Sequence, residues 1–442
     1  MLSIFDLDTA RRTILKRLPL NSMVYPQATL ARTEQLFGKG ITPSQAVTLI
    51  LASVQMEGDA ALVRWSNLLE KASPPKFRLP VESLEQAYQA LPEDLRNALE
   101  LAASRIRRFH QHQPLPNWET TEMGGRLGQR VTPIERVGAY VPGGTAPLPS
   151  SLLMSVIPAQ VAGVPRIIVC TPPTPQPVIL AAAYLCGIDE VYQAGGAQAI
   201  AAMTFGTESI PKVDKIVGAG NLFVTLAKQQ VYGIVGLDGL AGPTETVVVA
   251  DSTARPAWVA ADLLAQAEHD ILASAILLTP DRRLASAVQV EVSHRLESLS
   301  RAEIIVQSLA DRSGIVITPD LETACALASD YAAEHTCLAV ADPQKWIPAI
   351  PNAGGLFIGE LSFEVLGDYV AGPSHVMPTG GTARFASPLN VMDFVKITSL
   401  VALDESTGRE LSRTAAVIAR AEQLTAHAGA AECRLGLSAA PQ

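Results

Sequence analysis

The sequence predicts an α/β protein with two Rossmann-like parallel-sheet domains. From Val137 onward, short apolar runs typical of buried strands alternate with helical segments of about 10–15 residues, which is the pattern of βαβ units. Aromatic residues make up only 5% of the 442 residues, and this favours α/β layers over a β-sandwich. The strand-like runs exceed what one sheet comfortably holds, so we expect two α/β units. These runs cover residues 166–170, 190–193, 215–217, 245–250, 274–278, 314–317 and 355–358.

The first quarter of the chain is predicted to be mostly helical. Residues 3–18 have the pattern of a short helix, and residues 43–71 carry helical periodicity with a break at Gly58. Residues 81–113 form a further helical stretch that Pro92 interrupts. We therefore expect several helices ahead of the sheets.

Turn residues predict where the first strands begin, where the two α/β units meet and where the last helix ends. The first strands are expected around residues 124–136, and a seam between the two α/β units is expected in the turn-rich segment 240–245. After Val391 the pattern becomes helical again, with a helix over residues 412–427 that Gly429 ends.

Composition and charge exclude several classes of protein. The chain is 48% hydrophobic and has a net charge of −9 without a long run of one sign, so we expect no nucleic acid and no membrane as partner. Its five cysteines form no CxxC pair, which argues against disulfides and a thiolate zinc site and fits a cytoplasmic location. The first residues lack the apolar core of a signal peptide. Prolines and glycines interrupt the uncharged segment 137–165, so we interpret it as globular core.

A possible metal site begins with the segment Gln-Ala-Glu-His-Asp at residues 266–270. Gln266 and His269 are three residues apart and would share one face of a helix. An imidazole nitrogen suits zinc, whereas a Gln carbonyl is a weaker and uncommon ligand. The alternative is a helix C-terminus whose dipole favours a charged imidazole. These five residues alone leave both interpretations open.

Glu334 and His335 lie where a predicted helix ends and a strand begins. Such ends are held by rigid elements and often carry functional residues. An imidazole takes and returns protons near neutral pH, and an adjacent carboxylate can activate a water. The alternative is an acid–imidazole pair at an exposed turn.

Residues 364–384 form a long non-periodic segment with four glycines and two prolines. Such a loop inside a compact enzyme is usually functional. Asp368 offers the hard anionic ligand that a site with one Gln and one imidazole would need. His375 offers a second imidazole.

Three glycine-containing turns point to an anionic ligand. Residues 140–151 precede a predicted helix near Pro149, where backbone N–H groups could hold a phosphate. The turns at 195–198 and 218–221 are similar, although each alone fits a tight strand-to-helix connection. The chain has no GxGxxG fingerprint. Together the three turns favour a dinucleotide crevice at strand ends.

Eight motifs occur in an order that resembles the histidinol dehydrogenase family over residues 45–434. The motifs are RVGAYVPGG at 136–144, GGAQAIAA at 195–202, PKVDKIVGAGN at 211–221, AGPTE at 241–245, ADLLAQAEHD at 261–270, AEH at 333–335, GDYVAGPSHVMPTGGTAR at 367–384 and AEQLTAH at 421–427.

The resemblance implies an NAD-dependent dehydrogenase with one zinc ion per subunit. Such an enzyme oxidises L-histidinol to L-histidine through L-histidinaldehyde and reduces two NAD⁺. The implied acid–base pair is Glu334 and His335, with His335 as the base of the first step and Glu334 activating water in the second. The implied zinc ligands are Gln266, His269, Asp368 and His427. The implied NAD contacts are Tyr140, Gln198 and Asn221. The implied substrate contacts are Thr244, Glu364, His375 and Glu422, together with His335 and the zinc ligands.

The resemblance also implies an intertwined homodimer and a division into domains. Residues 1–26 would form an N-terminal helical arm. Residues 27–139 and 244–388 would form the α/β domain with most of the zinc and catalytic site, and residues 140–243 the α/β domain with the NAD contacts. Residues 389–442 would form a helical segment that reaches the partner subunit and supplies Glu422 and His427 to its site.

Two alternative functions stay open. A related zinc- and NAD-dependent dehydrogenase of another small alcohol, such as a sulfonated diol, would be expected to lose Glu364, His375 or Glu422, and all three are present. A non-catalytic binding protein would not need the acid–base pair. The chain departs from the family pattern with Thr244 in place of Ser and Ala219 in place of Pro, and neither change removes a ligand.

Overall fold

The computed structural model describes residues 2–17, 25–72, 74, 76–143 and 147–435. Contacts divide the chain into two units, one of Met1–Gln113 with Ile134–Phe394 and the other of Pro114–Pro133 with Val395–Gln442. The larger unit is an α/β structure built on two parallel sheets, which confirms the predicted fold class.

The described residues contain fourteen strands. They are β1 (Ile4–Phe5), β2 (Trp118–Thr120), β3 (Arg126–Pro133), β4 (Arg136–Tyr140), β5 (Arg166–Thr171), β6 (Val191–Gln193), β7 (Lys215–Val217), β8 (Gly236–Leu237), β9 (Glu245–Ala250), β10 (Ser274–Thr279), β11 (Gly314–Ile317), β12 (His335–Ala339), β13 (Gly355–Ile358) and β14 (Val395–Ala402).

Both sheets of the larger unit are wholly parallel. One has six strands in the order β1-β11-β10-β9-β12-β13, and the other has five in the order β6-β5-β4-β7-β8. Strands β9, β10 and β12 are buried along their whole length, as expected where helices cover both faces of a sheet.

None of the described helices is long and apolar enough to cross a membrane. They are α1 (Leu7–Arg12), α2 (Gln27–Phe37), α3 (Pro43–Glu57), α4 (Asp59–Trp65), α5 (Val81–Gln89), α6 (Glu93–Gln111), α7 (Pro149–Val161), α8 (Pro177–Leu185), α9 (Gly196–Phe205), α10 (Leu222–Val231), α11 (Pro256–Ala267), α12 (Arg282–Leu296), α13 (Ala302–Asp311), α14 (Leu321–Tyr331), α15 (Pro343–Trp346), α16 (Glu364–Tyr369), α17 (Glu405–Ala421) and α18 (Thr425–Glu432).

The N-terminal quarter follows the prediction except at its start. The breaks at Gly58 and Pro92 are confirmed, since α3 ends before Gly58, whose φ is +56°, and α5 and α6 lie on either side of Pro92. The helix predicted over residues 3–18 is wrong in its length. Ile4 and Phe5 pair with β11 as a strand, and α1 begins only at Leu7. Residues 18–24 of the predicted arm lie outside the described residues.

Helices α3 and α4 pack on the helices beside the five-stranded sheet, α3 on α9 and α10 and α4 on α9. Val47, Ile50 and Leu62 share one buried core with Ile168 of β5 and Val224 of α10. The predicted domain boundaries stay a prediction. The packing differs from the predicted boundaries in one respect. Part of the segment 27–139, which was predicted to belong with residues 244–388, shares its hydrophobic core with residues 140–243.

The smaller unit combines an antiparallel sheet with two helices. Its sheet has the order β14-β3-β2, and α17 and α18 follow β14. The prediction of a helical chain from Val391 is therefore wrong for Val395–Ala402, a strand in which four of the eight residues are β-branched. The single helix predicted over 412–427 is also wrong. The chain turns between α17 and α18 at Gln423, whose φ is +61°.

Replacing Asp262 of α11 with Asn is expected to stabilise the protein at pH 8. Burial, with Glu360 nearby, raises the pKa of the Asp262 carboxyl to about 7. Since the folded-state pKa exceeds the unfolded one, the contribution of this group to stability is complete below about pH 4 and is lost as the pH rises towards 7. Thermal melts at pH 8 should show a gain of about 1–3 kcal/mol for the Asn variant. The gain should shrink steadily as the pH is lowered to 5, and a pH-independent gain would contradict this assignment.

Candidate active site

A cavity of about 690 Å³ in the larger unit brings six of the thirteen predicted site residues together. One wall is formed by residues at the amino ends of β9 and β12, and another by the turn at Gly218 that follows the carboxyl end of β7. The six-stranded sheet thus presents its amino edge to the cavity, whereas ligands of open α/β sheets usually lie at the carboxyl edge. The predicted site residues in its lining are Thr244, His269, Glu334, His335, Asp368 and His375.

Glu334 is buried at the start of β12, and two donors hold its carboxylate. The hydroxyl of Thr244 and the backbone N–H of Glu245, at 3.2 Å, both donate to Glu334 Oε2. Burial raises the pKa of Glu334 in spite of these donors. Its Oε2 lies 3.9 Å from His335 Nδ1. The Glu334–His335 pair is therefore a buried and oriented pair and not part of an exposed turn.

His335 is buried among carboxylates. Its Nε2 lies 3.4 Å from Asp368 Oδ1, and its ring is tilted against Phe357 with the centroids 5.7 Å apart. Burial alone would lower the pKa of His335, but the charges of Glu334, Asp368 and Glu364 outweigh burial and raise the pKa to about 10. Neither ring nitrogen has a hydrogen-bond partner among the described residues. Both nitrogens are buried, and the groups nearest to them are the carboxylates of Glu334 and Asp368.

Thr246, in β9, links two predicted site residues that are far apart in sequence. Its hydroxyl lies 2.8 Å from Gln266 Oε1 and also bonds to Glu364 Oε2. A hydroxyl has one proton to donate, so one of these bonds needs a proton from the partner. Burial raises the pKa of Glu364 to about 8, so Glu364 is mostly protonated at neutral pH and donates to Thr246. Thr246 then donates to Gln266 and orients its amide.

His269 lies in a turn and not on the helix that carries Gln266. The prediction that the two residues share one helix face is wrong in this detail, because α11 ends at Ala267. The backbone N–H of His269 donates to the Gln266 carbonyl at 3.3 Å, and the turn places His269 in the cavity wall with Asp368. Although burial acts in the opposite direction, the pKa of Asp368 is lowered, chiefly by His335.

His375 connects the loop after α16 to α7. Its Nδ1 lies 2.8 Å from the Asp368 carbonyl and its Nε2 lies 3.2 Å from Ser151 Oγ. Burial lowers the pKa of His375, which favours a neutral ring that donates through Nδ1 and accepts through Nε2. Sequence reasoning missed Ser151, because the apolar pattern of α7 gives no signal for one functional hydroxyl.

Tyr140 and Gln198 are buried at the carboxyl edge of the five-stranded sheet. The Tyr140 hydroxyl accepts a hydrogen bond from the Gly196 N–H at 3.1 Å. Gln198 is fully buried, and neither atom of its amide has a partner among the described residues. Burial raises the pKa of nearby Glu70 to about 6, and sequence reasoning missed this residue. Residues 144–146 of the predicted phosphate-binding segment lie outside the described residues.

Asn221 caps α10 with its own side chain. Its Oδ1 accepts from the backbone N–H groups of Phe223 at 3.0 Å and Val224 at 3.2 Å. The side-chain oxygen is therefore engaged. The amide nitrogen is the part of this side chain that is left for a ligand.

Glu422 and His427 lie in the smaller unit, and both are exposed there. Glu422 directly follows α17, and His427 lies in α18. The predicted site residues are thus divided between the two units of the chain.

Within the described ranges, no group of three or more His, Cys, Asp or Glu side chains is arranged to hold a metal. Of the four predicted zinc ligands, only His269 and Asp368 are of these residue types and lie in the larger unit. Gln266 is an amide, and His427 lies in the smaller unit. Imidazole nitrogen and oxygen donors nevertheless suit zinc. The buried Gln266 amide, oriented by Thr246, fits such a set.

Comparison with known proteins identifies one family. The family profile described as histidinol dehydrogenase matches residues 39–435. Histidinol dehydrogenase of Thermus thermophilus is 51% identical over 393 residues, which cover 89% of this chain and 95% of that protein. The protein of the same name from Deinococcus radiodurans is 50% identical over 416 residues, covering 93% and 95%. The crystal structure of histidinol dehydrogenase from Elizabethkingia anophelis matches with a TM-score of 0.89 at 35% identity and covers 98% of both chains.

Proposed function

The chain belongs to the histidinol dehydrogenase family, and from this premise we propose that it is the zinc-dependent enzyme that oxidises L-histidinol to L-histidine. The reaction passes through L-histidinaldehyde and reduces two NAD⁺. The observation that carries the proposal is the buried Glu334–His335 pair, which shares one cavity with His269 and Asp368.

His335 acts as the base of the first step. One of its two unpartnered ring nitrogens accepts the hydroxyl proton of the alcohol as the hydride leaves the carbon. NAD⁺, held by Tyr140, Gln198 and Asn221, would accept that hydride. Asp368, 3.4 Å from Nε2, orients the imidazole and stabilises the charge that it gains.

Glu334 acts in the second step, in which water adds to the aldehyde. Its carboxylate is held by Thr244 and by the backbone of Glu245, so one oxygen has a fixed position from which to accept a proton from water. Burial raises the pKa of Glu334 and makes it a stronger proton acceptor than an exposed carboxylate.

Gln266, His269, Asp368 and the partner's His427 would hold the zinc ion. When bound, the ion would hold the imidazole and amine of the substrate and would offset the carboxylate charges that keep His335 protonated. Neutral Glu364, neutral His375 and the partner's Glu422 would contact the substrate at the edge of this site. The donor set of one larger unit is then completed by a second chain.

We place the enzyme in the cytoplasm as a homodimer with exchanged C-terminal segments. Two observations support the exchange: Glu422 and His427 are exposed, and α17 exposes Val417 and Ile418 by 69% and 55%. Exposed apolar side chains next to functional residues are typical of a protein interface. All five cysteines are free, which suits a reducing compartment.

The proposed function is tested by incubating the zinc-loaded protein with L-histidinol and NAD⁺. We expect two NADH per L-histidinol consumed, together with L-histidine as the product, and loss of both after treatment with a chelator. Turnover of a sulfonated diol without turnover of L-histidinol would overturn the substrate assignment. Binding of histidine with zinc-dependent thermal stabilisation but no NADH formation would identify a binding protein instead.

Replacing Thr244 with Val is expected to slow the second half-reaction. The variant keeps the shape of the side chain but removes the hydroxyl that donates to Glu334. Oxidation of L-histidinaldehyde should slow by about tenfold or more, while the alcohol step changes less. Thr244→Ser retains the hydroxyl and is the matched control. Equal losses in the Val and Ser variants would show that the hydroxyl does not act on Glu334.

A further inference from the structure

Lys228 and Asp238 form a buried ion pair that binds both backbone polar groups of one residue, Gly218. Lys228 Nζ donates to the Gly218 carbonyl at 2.9 Å, and the Gly218 N–H donates to Asp238 Oδ2 at 2.7 Å. The two side chains also bond directly to each other, and they are only 3% and 6% exposed. Both backbone polar groups of Gly218 are therefore satisfied by charged side chains and not by a neighbouring strand.

Gly218 lies where three neighbouring strands end. It directly follows β7, Asp238 directly follows β8, and Tyr140 is the last residue of β4. A Cβ atom on Gly218 would lie 2.2 Å from the Tyr140 carbonyl oxygen, and the φ of Gly218 is +103°. Only glycine allows this close approach. The Gly218 peptide is thus pressed against the backbone of one predicted NAD contact, Tyr140.

The same turn leads to a second predicted NAD contact. Asn221 follows Gly218 by three residues and caps α10, and Lys228 returns to Gly218 from about two turns further along that helix. The turn that begins at Gly218 is therefore held from two sides. Lys228 links it to α10, and Asp238 links it to the end of β8.

Net stability is a poor explanation for such a pair. Taking two charges out of water costs about as much as their mutual attraction returns, so an apolar pair of similar size is often at least as stabilising. A buried, fully hydrogen-bonded pair does specify one backbone geometry. Here the hydrogen bonds of the pair go to Gly218, which contacts Tyr140 and lies three residues before Asn221. Both side chains also line the cavity of about 690 Å³.

We propose that Lys228 and Asp238 are positioning residues that set the Gly218–Asn221 turn for the dinucleotide and act on NAD⁺ binding without acting on the alcohol. This inference rests on the proposed function, because it takes the Tyr140, Gln198 and Asn221 region to be the NAD⁺ site. Neither side chain needs to touch the dinucleotide. Their effect passes through the backbone of residues 218–221.

The test compares Lys228→Met with the double variant Lys228→Met/Asp238→Asn in the zinc-loaded enzyme. The KM for NAD⁺ should rise about tenfold or more in both variants, while the KM for L-histidinol changes less than about twofold. Calorimetric titration with NAD⁺ in the absence of alcohol should show the same loss of affinity. The single variant leaves a buried carboxylate without its cation, so its melting temperature should fall, and the double variant should recover part of that fall.

Lys215→Met is the matched control. Lys215 also pairs with an aspartate, Asp393, at 3.3 Å, and it lies on β7 at the opposite end from Gly218. This variant should leave the KM for NAD⁺ unchanged. An equal rise in that control would show that any weakened ion pair on the sheet loosens NAD⁺ binding, and it would overturn the proposal.

Recovery of NAD⁺ affinity together with melting temperature in the double variant would assign the pair a structural role only and would also overturn the proposal. Asn221→Ala separates this failure from a failure of the proposed function. If Asn221→Ala weakens NAD⁺ binding and the Lys228 variants do not, the positioning role alone is wrong. If neither change affects NAD⁺ binding, the dinucleotide site lies elsewhere and the positioning role is wrong together with the assigned NAD⁺ contacts, whereas the proposed function fails only if L-histidinol is not oxidised.

Discussion

His335→Asn is expected to lower kcat for L-histidinol by about 10³–10⁴-fold while zinc content stays at the wild-type level. Asn keeps a polar side chain in the buried position but has no basic nitrogen to take the hydroxyl proton. The substitution removes the charged contacts of the imidazole with Asp368, at 3.4 Å, and with Glu334, at 3.9 Å, so thermal melts of the variant should accompany the kinetics. Steady-state kinetics with metal analysis of the same preparation give the measurement.

Glu334→Gln is the companion variant for this experiment. It keeps the side-chain volume next to His335 but removes the proton acceptor of the second step, so L-histidinaldehyde oxidation should suffer more than alcohol oxidation. Loss of zinc in His335→Asn comparable to the loss in His269→Asn would mean that His335 is a metal ligand and not a base.

Mixing two inactive variants is expected to restore activity. If His427 serves the partner's site, a heterodimer of His335→Asn and His427→Ala chains has one site with both defects and one with none. Random pairing makes half of the dimers heterodimers, so refolding an equal mixture should recover about a quarter of the wild-type activity. Each variant refolded alone should stay inactive.

A mixture of His335→Asn and Glu334→Gln chains is the control for complementation. Both changes lie in the same half of the site, so every site in such a mixture keeps one defect and no recovery is expected. Absence of recovery in the His335→Asn and His427→Ala mixture, with heterodimers present, would show that one chain completes its own site.

Several strands of the larger unit could be predicted closely from the sequence, although β1 was predicted as part of a helix and β8 was not predicted. Strands β7, β9, β11 and β13 have the predicted bounds, because strands covered on both faces are continuous apolar runs between turns. Strand β14 was missed for the opposite reason. Its Ile397 and Val401 are 51% and 68% exposed, so this strand lacks the continuous apolar run of a buried strand.

The site was predictable as a set of residues but not as an arrangement. Motifs identify Gln266 and Glu364 as candidates, yet no local pattern shows that the Thr246 hydroxyl joins them, since Thr246 and Glu364 are 118 residues apart. The ion pair of Lys228 and Asp238 was missed in the same way. A Lys on a helix and an Asp in a turn read as surface residues until tertiary packing buries them.

The amino edge of the six-stranded sheet forms a wall of the cavity that cannot move without breaking hydrogen bonds of the sheet. His335 is in register with Thr246 on one side and Gly355 on the other, and Glu245 is in register with Ser274. Peptide groups on this wall belong to the ladder of the buried sheet, so their amides should exchange with solvent about as slowly as those of the core. The cavity wall also includes turns at residues 239–242 and 376–387, and any motion that widens the cavity is expected in those segments and not in the sheet.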